Sequence, residues 1–323
     1  MKTLCLIVFY TCAALAALRS EDWRRLADNK PQARSGAVMA FDQKHGVSVL
    51  FGGIIASPQG PANLADTWIW DGQNWTQMTP ANSPSARYNG TMFYDQATGV
   101  MILFGGATFN GGLIQPHGDT WMWDGDNWTQ LSPADSPAPR YDSVSAYDSI
   151  HGVGVLYGGF SAGFLSDTWL WTGSNWSPQS PPQSPVGRIL PAFAFDAVHG
   201  QAVLFGGSNT VGYLDDTWTW DGATWTQQFP GASPSQRYGA SMAFDPLYGY
   251  SLMFGGINQK GDLADTWEWN GSNWTQETGL ASPPPRFQFS MDYDAVRQQV
   301  VIFGGTHGTN LGDVYLSDTW GWQ

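Results

Sequence analysis

The sequence is poor in cysteine and in charge. Its 323 residues include only two cysteines, Cys5 and Cys12, and 13% charged residues. Both cysteines lie in an apolar N-terminal segment that we expect to be removed. The mature chain would then have no disulfide bond and no thiol for catalysis or metal binding. We expect packing alone to hold the fold, which is feasible for a chain of this size.

Positive charge is also scarce. Lys and Arg number 14 against 27 Asp and Glu, which gives a net charge of −13 and a pI near 4.5. Such a surface repels phosphate backbones and anionic lipids at long range. We therefore expect no nucleic-acid partner and no membrane contact beyond export. Helical periodicity is missing after the N-terminus, so the composition favours many short strands.

The N-terminal segment has the features of an export signal. Lys2 precedes an apolar run from Leu4 to Leu18, and Ala14-Leu15-Ala16 supplies small residues for cleavage. We predict a signal peptide over residues 1–16, with a retained anchor as the alternative, and one domain over residues 17–323. The protein would be secreted or periplasmic, with bacterial export, and we expect a monomer.

Tryptophan, by contrast, is abundant and regularly spaced. Twelve of the 18 tryptophans lie in six Asp-Thr-Trp-x-Trp pentapeptides, and each of the other six introduces a short segment. A Gly-Gly pair precedes each pentapeptide, and the pairs are 48 to 53 residues apart. This period is typical of propeller repeats. The pentapeptides begin at Asp66, Asp119, Asp167, Asp216, Asp265 and Asp318.

Each repeat predicts four antiparallel strands. In the second repeat these are Arg87–Asp95, the apolar run Val100–Phe104 before Gly-Gly, Asp119–Trp123, and Trp128–Leu131 after an Asp-Gly turn. Six such repeats predict an all-β, six-bladed propeller. Both faces of a blade are sandwiched, so we expect the tryptophans to be packed between blades. An exposed aromatic platform for sugars is the alternative.

The two chain ends predict how the ring closes. The last repeat stops at Trp322-Gln323, without a fourth strand. Trp23 precedes Arg34 much as Trp75 precedes Arg87. We predict that the N-terminal strand completes the last blade and removes its open edge.

This combination of Gly-Gly, a spaced aromatic, a further Trp, then Pro and Arg resembles the kelch repeat over residues 23–323. The resemblance implies a kelch-like β-propeller. Kelch propellers include peptide-binding modules, a copper radical oxidase domain and a sialic acid mutarotase, so the fold alone does not select a function. The galactose oxidase-like copper site needs a Tyr-Cys crosslink, which a mature chain without cysteine cannot form. We expect no cofactor and no metal.

The histidines do not suggest a metal centre either. His45, His151 and His199 occupy the same turn in three repeats, too far apart on a ring to share an ion. We interpret them as turn residues. The usual nucleophile, nucleotide-loop and zinc-helix motifs are missing, and most carboxylates repeat with the blades.

Candidate ligand-binding residues lie on the rim formed by the loops after Gly-Gly and the Pro-rich connections. One set is a ring of arginines that begin the innermost strands. These arginines could form a cationic mouth for an acidic sugar or carboxylate, or they could be structural, paired with the pentapeptide Asp residues and tying neighbouring blades. They are Arg34, Arg87, Arg140, Arg188, Arg237 and Arg286.

The other candidates break the symmetry. The long rim loops 54–65, 107–118 and 306–317 belong to adjacent blades and could form a wall. They contain His117, His307, Asp313 and Tyr315. Asp292 stands where the other repeats have Ala or Phe, so we expect it to have a partner or to face the channel.

From the sequence, we expect an exported kelch-repeat propeller that binds a protein, peptide or glycan through its rim loops without catalysis. The alternative is a sugar-modifying enzyme of the sialic acid mutarotase type.

Overall fold

The computed structural model describes residues 22–27, 30–58, 60–279, 281–309 and 312–323. The predicted signal segment and both cysteines lie outside the described residues. All secondary-structure elements within the described part are β-strands, which confirms the all-β prediction.

The strands follow the repeats. β1 (Trp23–Ala27) comes first. Repeat one contains β2 (Val38–Asp42), β3 (Val47–Phe51), β4 (Ile54–Ile55), β5 (Ala62–Asn63), β6 (Thr67–Trp70) and β7 (Trp75–Met78). Repeat two contains β8 (Thr91–Asp95), β9 (Val100–Phe104), β10 (Ala107–Asn110), β11 (Leu113–Pro116), β12 (Thr120–Trp123) and β13 (Trp128–Leu131). Repeat three contains β14 (Val144–Asp148), β15 (Val153–Tyr157), β16 (Thr168–Trp171) and β17 (Trp176–Gln179).

The second half of the chain repeats this order. Repeat four contains β18 (Ala192–Asp196), β19 (Gln201–Phe205), β20 (Ser208–Asn209), β21 (Gly212–Tyr213), β22 (Thr217–Trp220) and β23 (Trp225–Gln228). Repeat five contains β24 (Ser241–Asp245), β25 (Tyr250–Phe254), β26 (Ile257–Asn258), β27 (Gly261–Asp262), β28 (Thr266–Trp269) and β29 (Trp274–Glu277). Repeat six contains β30 (Ser290–Asp294), β31 (Gln299–Phe303), β32 (Thr306–Thr309), β33 (Gly312–Tyr315) and β34 (Thr319–Trp322).

These strands form six antiparallel sheets of four strands, one for each blade. The innermost strands β2, β8, β14, β18, β24 and β30 contact one another in a closed circle and surround a central channel. Five repeats also carry a small two-stranded hairpin after Gly-Gly on the rim. The predicted six-bladed propeller is confirmed.

The N-terminal strand closes the ring, as predicted. β1 pairs with β34 in the order β1-β34-β31-β30, with Trp23 opposite Trp322 and Arg25 opposite Trp320. Trp23 is 3% exposed and packs on Trp322 and Phe254, at ring-centroid distances of 5.5 and 5.1 Å. The first and last described segments are therefore neighbouring strands in one sheet.

The pentapeptide residues have separate structural tasks. The pentapeptide Thr hydroxyl accepts a hydrogen bond from the next blade. The donor is the indole Nε1 of the Trp that begins the outermost strand of that blade. For example, Trp128 donates to Thr67 at 2.9 Å. Six such bonds of 2.8 to 3.0 Å run around the ring, and Trp23 supplies one of them to Thr266. The second pentapeptide Trp is at most 1% exposed in every blade. The tryptophans thus join the blades, as predicted.

The turns at the other end of the blades also hold neighbours together. His45 Nδ1 lies 2.7 Å from Asp42 Oδ2, within hydrogen-bond distance. Its ring lies against Gly125 of the next blade, where an added Cβ would be 2.3 Å from the imidazole. His151 and His199 repeat this arrangement with Asp148 and Asp196. The structure confirms that these histidines are turn residues.

Candidate functional site

The six rim arginines are buried and bound within their own blades. Each is at most 2% exposed. In blade one, Arg34 donates through Nη1 to the Gly52 carbonyl at 2.9 Å and to Asp66 Oδ1 at 2.6 Å, and through Nη2 to Asp66 Oδ2 at 2.9 Å. Its Nε donates to the Gln32 carbonyl at 3.0 Å. Four of the five guanidinium N–H groups are therefore used, and the other blades repeat the pattern.

The Arg–Asp pairs correct one detail of the interpretation that the rim arginines are structural. We expected them to tie neighbouring blades, but each Arg and its Asp belong to the same blade. At the rim, neighbouring blades are linked by the backbone instead, because Gly53 N donates to the Arg87 carbonyl at 2.8 Å and Arg87 N to the Leu64 carbonyl at 3.0 Å. The Arg side chain holds β2 and its equivalents to the start of the third strand. The Asp also accepts a hydrogen bond from the indole N–H of the first pentapeptide Trp. Burial alone would raise the pKa of this Asp, but the Arg and the Trp stabilise its carboxylate and lower the pKa.

The buried pairs allow a graded test. Arg286→Ala leaves Asp318 without its cation, and the Asp318 side chain is only 9% exposed. Arg140→Ala leaves Asp167 without its cation, but the Asp167 side chain is 39% exposed and can be hydrated. We expect Arg286→Ala to lower the free energy of unfolding by about 3 kcal/mol or more, and Arg140→Ala by less. Chemical denaturation measures both. Unchanged stability of the Arg286 variant, with loss of ligand binding, would instead support the cationic-mouth hypothesis.

A collar of six backbone hydrogen bonds surrounds the rim end of the channel. The second residue after each rim Arg donates its N–H to the carbonyl of the matching residue in the preceding blade, at 2.8 to 3.0 Å. All six have left-handed backbone, with φ between 47° and 68°, although only two are glycine. Strained backbone of this kind is concentrated at functional sites. The collar residues are Gly36, Asn89, Asp142, Leu190, Gly239 and Gln288.

Asp142 gives the collar a single carboxyl group. The residue is 6% exposed, and its Oδ1 accepts from Asn89 Nδ2 at 2.6 Å. Burial raises the pKa of Asp142 to about 7, more than the bond from Asn89 lowers it. The group is thus poised between its two protonation states near neutral pH.

An aromatic wall stands on the rim side of the collar. Tyr88, Tyr141 and Tyr238 directly follow rim arginines and are half-buried. Tyr238 stacks on Tyr213 of the blade-four hairpin at 5.2 Å between ring centroids, and Tyr141 packs on Phe160 at 5.7 Å. Burial and then the charge of Asp142 raise the pKa of Tyr88 to about 12. We call this region, with Asp142 as its floor, the mouth.

The blade-six hairpin adds acidic and polar groups to the mouth. His307 Nδ1 lies 2.9 Å from Asp262 Oδ2 of the blade-five hairpin, and Gly308 N donates to the same oxygen. Asp313 is exposed, and Tyr315 is half-buried. Burial is the main cause of the raised pKa of Tyr238 and of Tyr315, and the charge of Asp313 adds to it in both cases. His307, Asp313 and Tyr315 therefore lie together, and Asp142 lies across the mouth from them.

The long rim loops are joined differently from the expected wall. Asn63 Nδ2 donates to the Phe109 carbonyl at 2.8 Å, and Phe109 N donates to Asn63 Oδ1 at 2.9 Å, so the blade-one and blade-two loops are connected. The blade-six hairpin is bonded to blade five through His307 and Asp262 instead. Asp262 lies in one of the short rim loops, so the comparison of loop lengths did not indicate it as a partner of His307.

His117 and Asp292 are separate from this group. His117 Nε2 bonds Thr108 Oγ1 at 2.7 Å within its own hairpin, and burial followed by the charge of Arg87 lowers its pKa. Asp292 lies on β30, further along the channel, and lines a cavity beyond the collar. This agrees with the expectation that it faces the channel.

Asp142 and the mouth tyrosines were missed by sequence reasoning. The sequence feature that could have indicated Asp142 is the second position after each rim Arg. The six repeats carry Gly, Asn, Asp, Leu, Gly and Gln there. A position that varies so widely inside an otherwise regular repeat does not serve the scaffold through its side chain. Its proximity to the hairpins becomes visible only when the ring is assembled.

The described residues lack two other kinds of feature. They contain no helix long and apolar enough to cross a membrane. They also contain no group of three or more His, Cys, Asp or Glu side chains placed to hold a metal ion.

The fold defines the chain as a six-bladed β-propeller. No family model matches it, so the kelch resemblance stays a prediction from the motifs. Dynein regulatory complex subunit 7 of Chlamydomonas reinhardtii is 26% identical over 160 residues, which cover 48% of this chain but only 13% of that protein. The solved structure of YjhT has a TM-score of 0.68 at 17% identity, covering 91% of this chain and 96% of that one. At this identity the likeness to YjhT supports the fold alone.

Proposed function

We propose that the protein is a non-catalytic binding module that holds an uncharged glycan in the mouth. The observation that carries this proposal is the arrangement of half-buried tyrosines around Asp142, beside Asp313 and the His307–Asp262 pair. Sugar rings present C–H faces that pack on aromatic rings, and their hydroxyl groups donate to carboxylates. A rigid scaffold with aromatic walls and a few polar groups is the usual form of a ligand site.

The charges of the mouth disfavour an acidic sugar. The arginines that would recognise a carboxylate each spend at least four N–H groups on their own blade. Asp262, Asp313 and the ionised form of Asp142 add negative charge, and the whole chain carries −13. An anionic ligand would meet repulsion without a free guanidinium to offset it. A protein or peptide presenting basic or aromatic side chains is the other ligand class that this surface could bind.

A glycan array followed by calorimetry on the best ligand tests the proposal. We expect Tyr213→Ala and Tyr238→Ala to weaken binding at least about tenfold each, because each removes half of a stacked pair in the wall of the mouth. Asp142→Asn should weaken binding while preserving the fold, since Asn at this position can still bond Asn89.

Tyr248→Ala is the matched control, because Tyr248 is 48% exposed in a turn at the opposite end of the blades. The proposal fails if the control weakens binding as much as the mouth variants, or if the array binds only acidic sugars through the arginines. Selective binding of peptides in the same mouth would redirect the ligand class from glycan to peptide.

An enzyme that modifies sugars is the second candidate, and the protonation of Asp142 favours it. A carboxyl group with a pKa of about 7 can donate and accept protons at neutral pH, as general acid–base catalysis requires. Incubating any bound reducing sugar with the protein, and following anomer exchange by NMR, distinguishes the two. Turnover that Asp142→Asn abolishes while binding persists would make the protein an enzyme.

Export to the periplasm or the medium is part of the proposal. It rests on the N-terminal Lys2, the apolar run and the small residues before position 17. The intact mass of the protein purified from those compartments tests it. A mass that retains residues 1–16 would contradict cleavage.

A further inference from the structure

The channel contains a second cavity, separate from the mouth. Past the collar, a ring of residues that we call the waist lies between a first cavity and a chamber of about 390 Å³ that we call the lower chamber. Its volume falls within the range of small-molecule sites. The waist is made of Met39, Met92, Ser145, Phe193, Met242 and Met291, which border the cavities on both sides.

The wall of the lower chamber is aromatic in every blade. One aromatic residue from each innermost strand borders it, directly before the strand's final Asp. The chamber is rimmed by small or uncharged residues such as Gln43, Gln96 and Ser149. Aromatic residues that border one space are suited to apolar bodies and to cations, which the faces of aromatic rings attract. The six aromatic residues are Phe41, Tyr94, Tyr147, Phe195, Phe244 and Tyr293.

Asp292 brings one carboxyl group to this wall. The matching residues are Ala40, Phe93, Ala146, Ala194 and Ala243, so the scaffold does not require an acid there. Asp292 Oδ2 is buried and has no hydrogen-bond partner within the described part of the chain. Burial raises the pKa of the Asp292 carboxyl group, and the backbone N–H groups of Tyr293 and Phe41 offset this only in part. Arg297, in the turn that follows β30, is already bonded to Asp294 at 2.8 Å. A buried carboxyl group without a counter-charge is costly.

A counter-charge for the ionised form of Asp292 can come from the chamber that this residue borders. A cation there would favour the ionised carboxylate, which burial otherwise disfavours. We propose that the lower chamber binds a small organic ammonium ion, with its positive charge beside Asp292 and its apolar body against the surrounding aromatic rings. This site does not depend on the glycan proposed for the mouth.

Calorimetry of the full chain with benzylammonium, and with benzyl alcohol as the uncharged analogue, tests the inference. We expect benzylammonium to bind at least about tenfold more tightly than the alcohol. Asp292→Ala should abolish this preference, and it should fold, since Ala is the residue of four other blades. Asp126→Asn, which removes the same charge from an exposed turn, should leave the affinity unchanged.

A second pair of variants tests the aromatic wall. Phe244→Leu should weaken benzylammonium binding by about threefold or more, since it removes one ring from the chamber. Phe229→Leu is the matched control, because Phe229 is 84% exposed outside the channel.

Three results would overturn the proposal. The first is equal binding of ammonium and alcohol. The second is full affinity in a folded Asp292→Ala variant. The third is no binding of benzylammonium or tetramethylammonium at about 10 mM, which is weaker than any useful site.

Discussion

Chains that lack residues 22–27 are expected to melt at least about 10 °C below the full chain, or not to fold at all. The deletion removes the outer strand of blade six and exposes the edge of β34. It also removes the buried indole that packs between Trp322 and Phe254 and donates to Thr266 at 2.9 Å. Differential scanning calorimetry of the two chains measures the effect.

A single substitution gives the same test without shortening the chain. Trp23→Ala should cost about 3–5 kcal/mol, as for other buried tryptophans. Arg24→Ala on the same strand is exposed and should change stability by less than about 0.5 kcal/mol. If the Trp23 variant and the Arg24 variant melt together, the N-terminal strand does not close the ring.

Raising the pH from 5 to 8 is expected to destabilise the protein. Burial raises the pKa of Asp292 to about 8 and that of Asp142 to about 7, whereas an unfolded Asp titrates near 3.9. Between these values the folded chain holds protons that the unfolded chain has lost, so stability falls as pH rises. For Asp292 alone the loss is on the order of 4 kcal/mol over this interval.

The pentapeptide carboxylates act in the opposite sense at lower pH. The pKa of Asp66 and its equivalents is lowered, so their stabilisation is present above pH 4 and is lost as the pH falls below it. Maximum stability is therefore expected near pH 4 to 5, on the acidic side of neutrality.

Denaturation of the wild type and of Asp292→Asn across this pH range tests the linkage. Asn cannot ionise, so the variant should gain stability relative to the wild type as pH rises. The other acids that end the neighbouring innermost strands, Asp42, Asp245 and Asp294, remain in both proteins, and of these Asp294 adds to the raised pKa of Asp292. A wild type that becomes more stable between pH 5 and 8 would contradict the assignment of a protonated Asp292.

The fold could be predicted because its determinants repeat. The run Val100–Phe104 and the segment Trp128–Leu131 are strands with the predicted bounds. Trp23 marked the closing strand because a fourth-strand tryptophan was missing at the other end. Such features recur in each repeat, so one interpretation is supported by six copies.

The site was harder to predict because it depends on how unlike loops meet across the ring. Asp262 bonds His307 although 45 positions separate them. The collar forms from backbone groups of six blades, and backbone hydrogen bonds of this kind leave little trace in side-chain identity. The rim arginines were visible as candidates, but their place within one blade followed only from the sheets.

The most direct test of a function located in the mouth is a crystal structure with the best glycan ligand bound. We expect a sugar ring against Tyr213 and Tyr238, with hydroxyl groups bonded to carboxylates of the mouth and the six arginine pairs intact. A ligand bound to the arginines, or on the outer strands away from Asp142, would contradict this assignment.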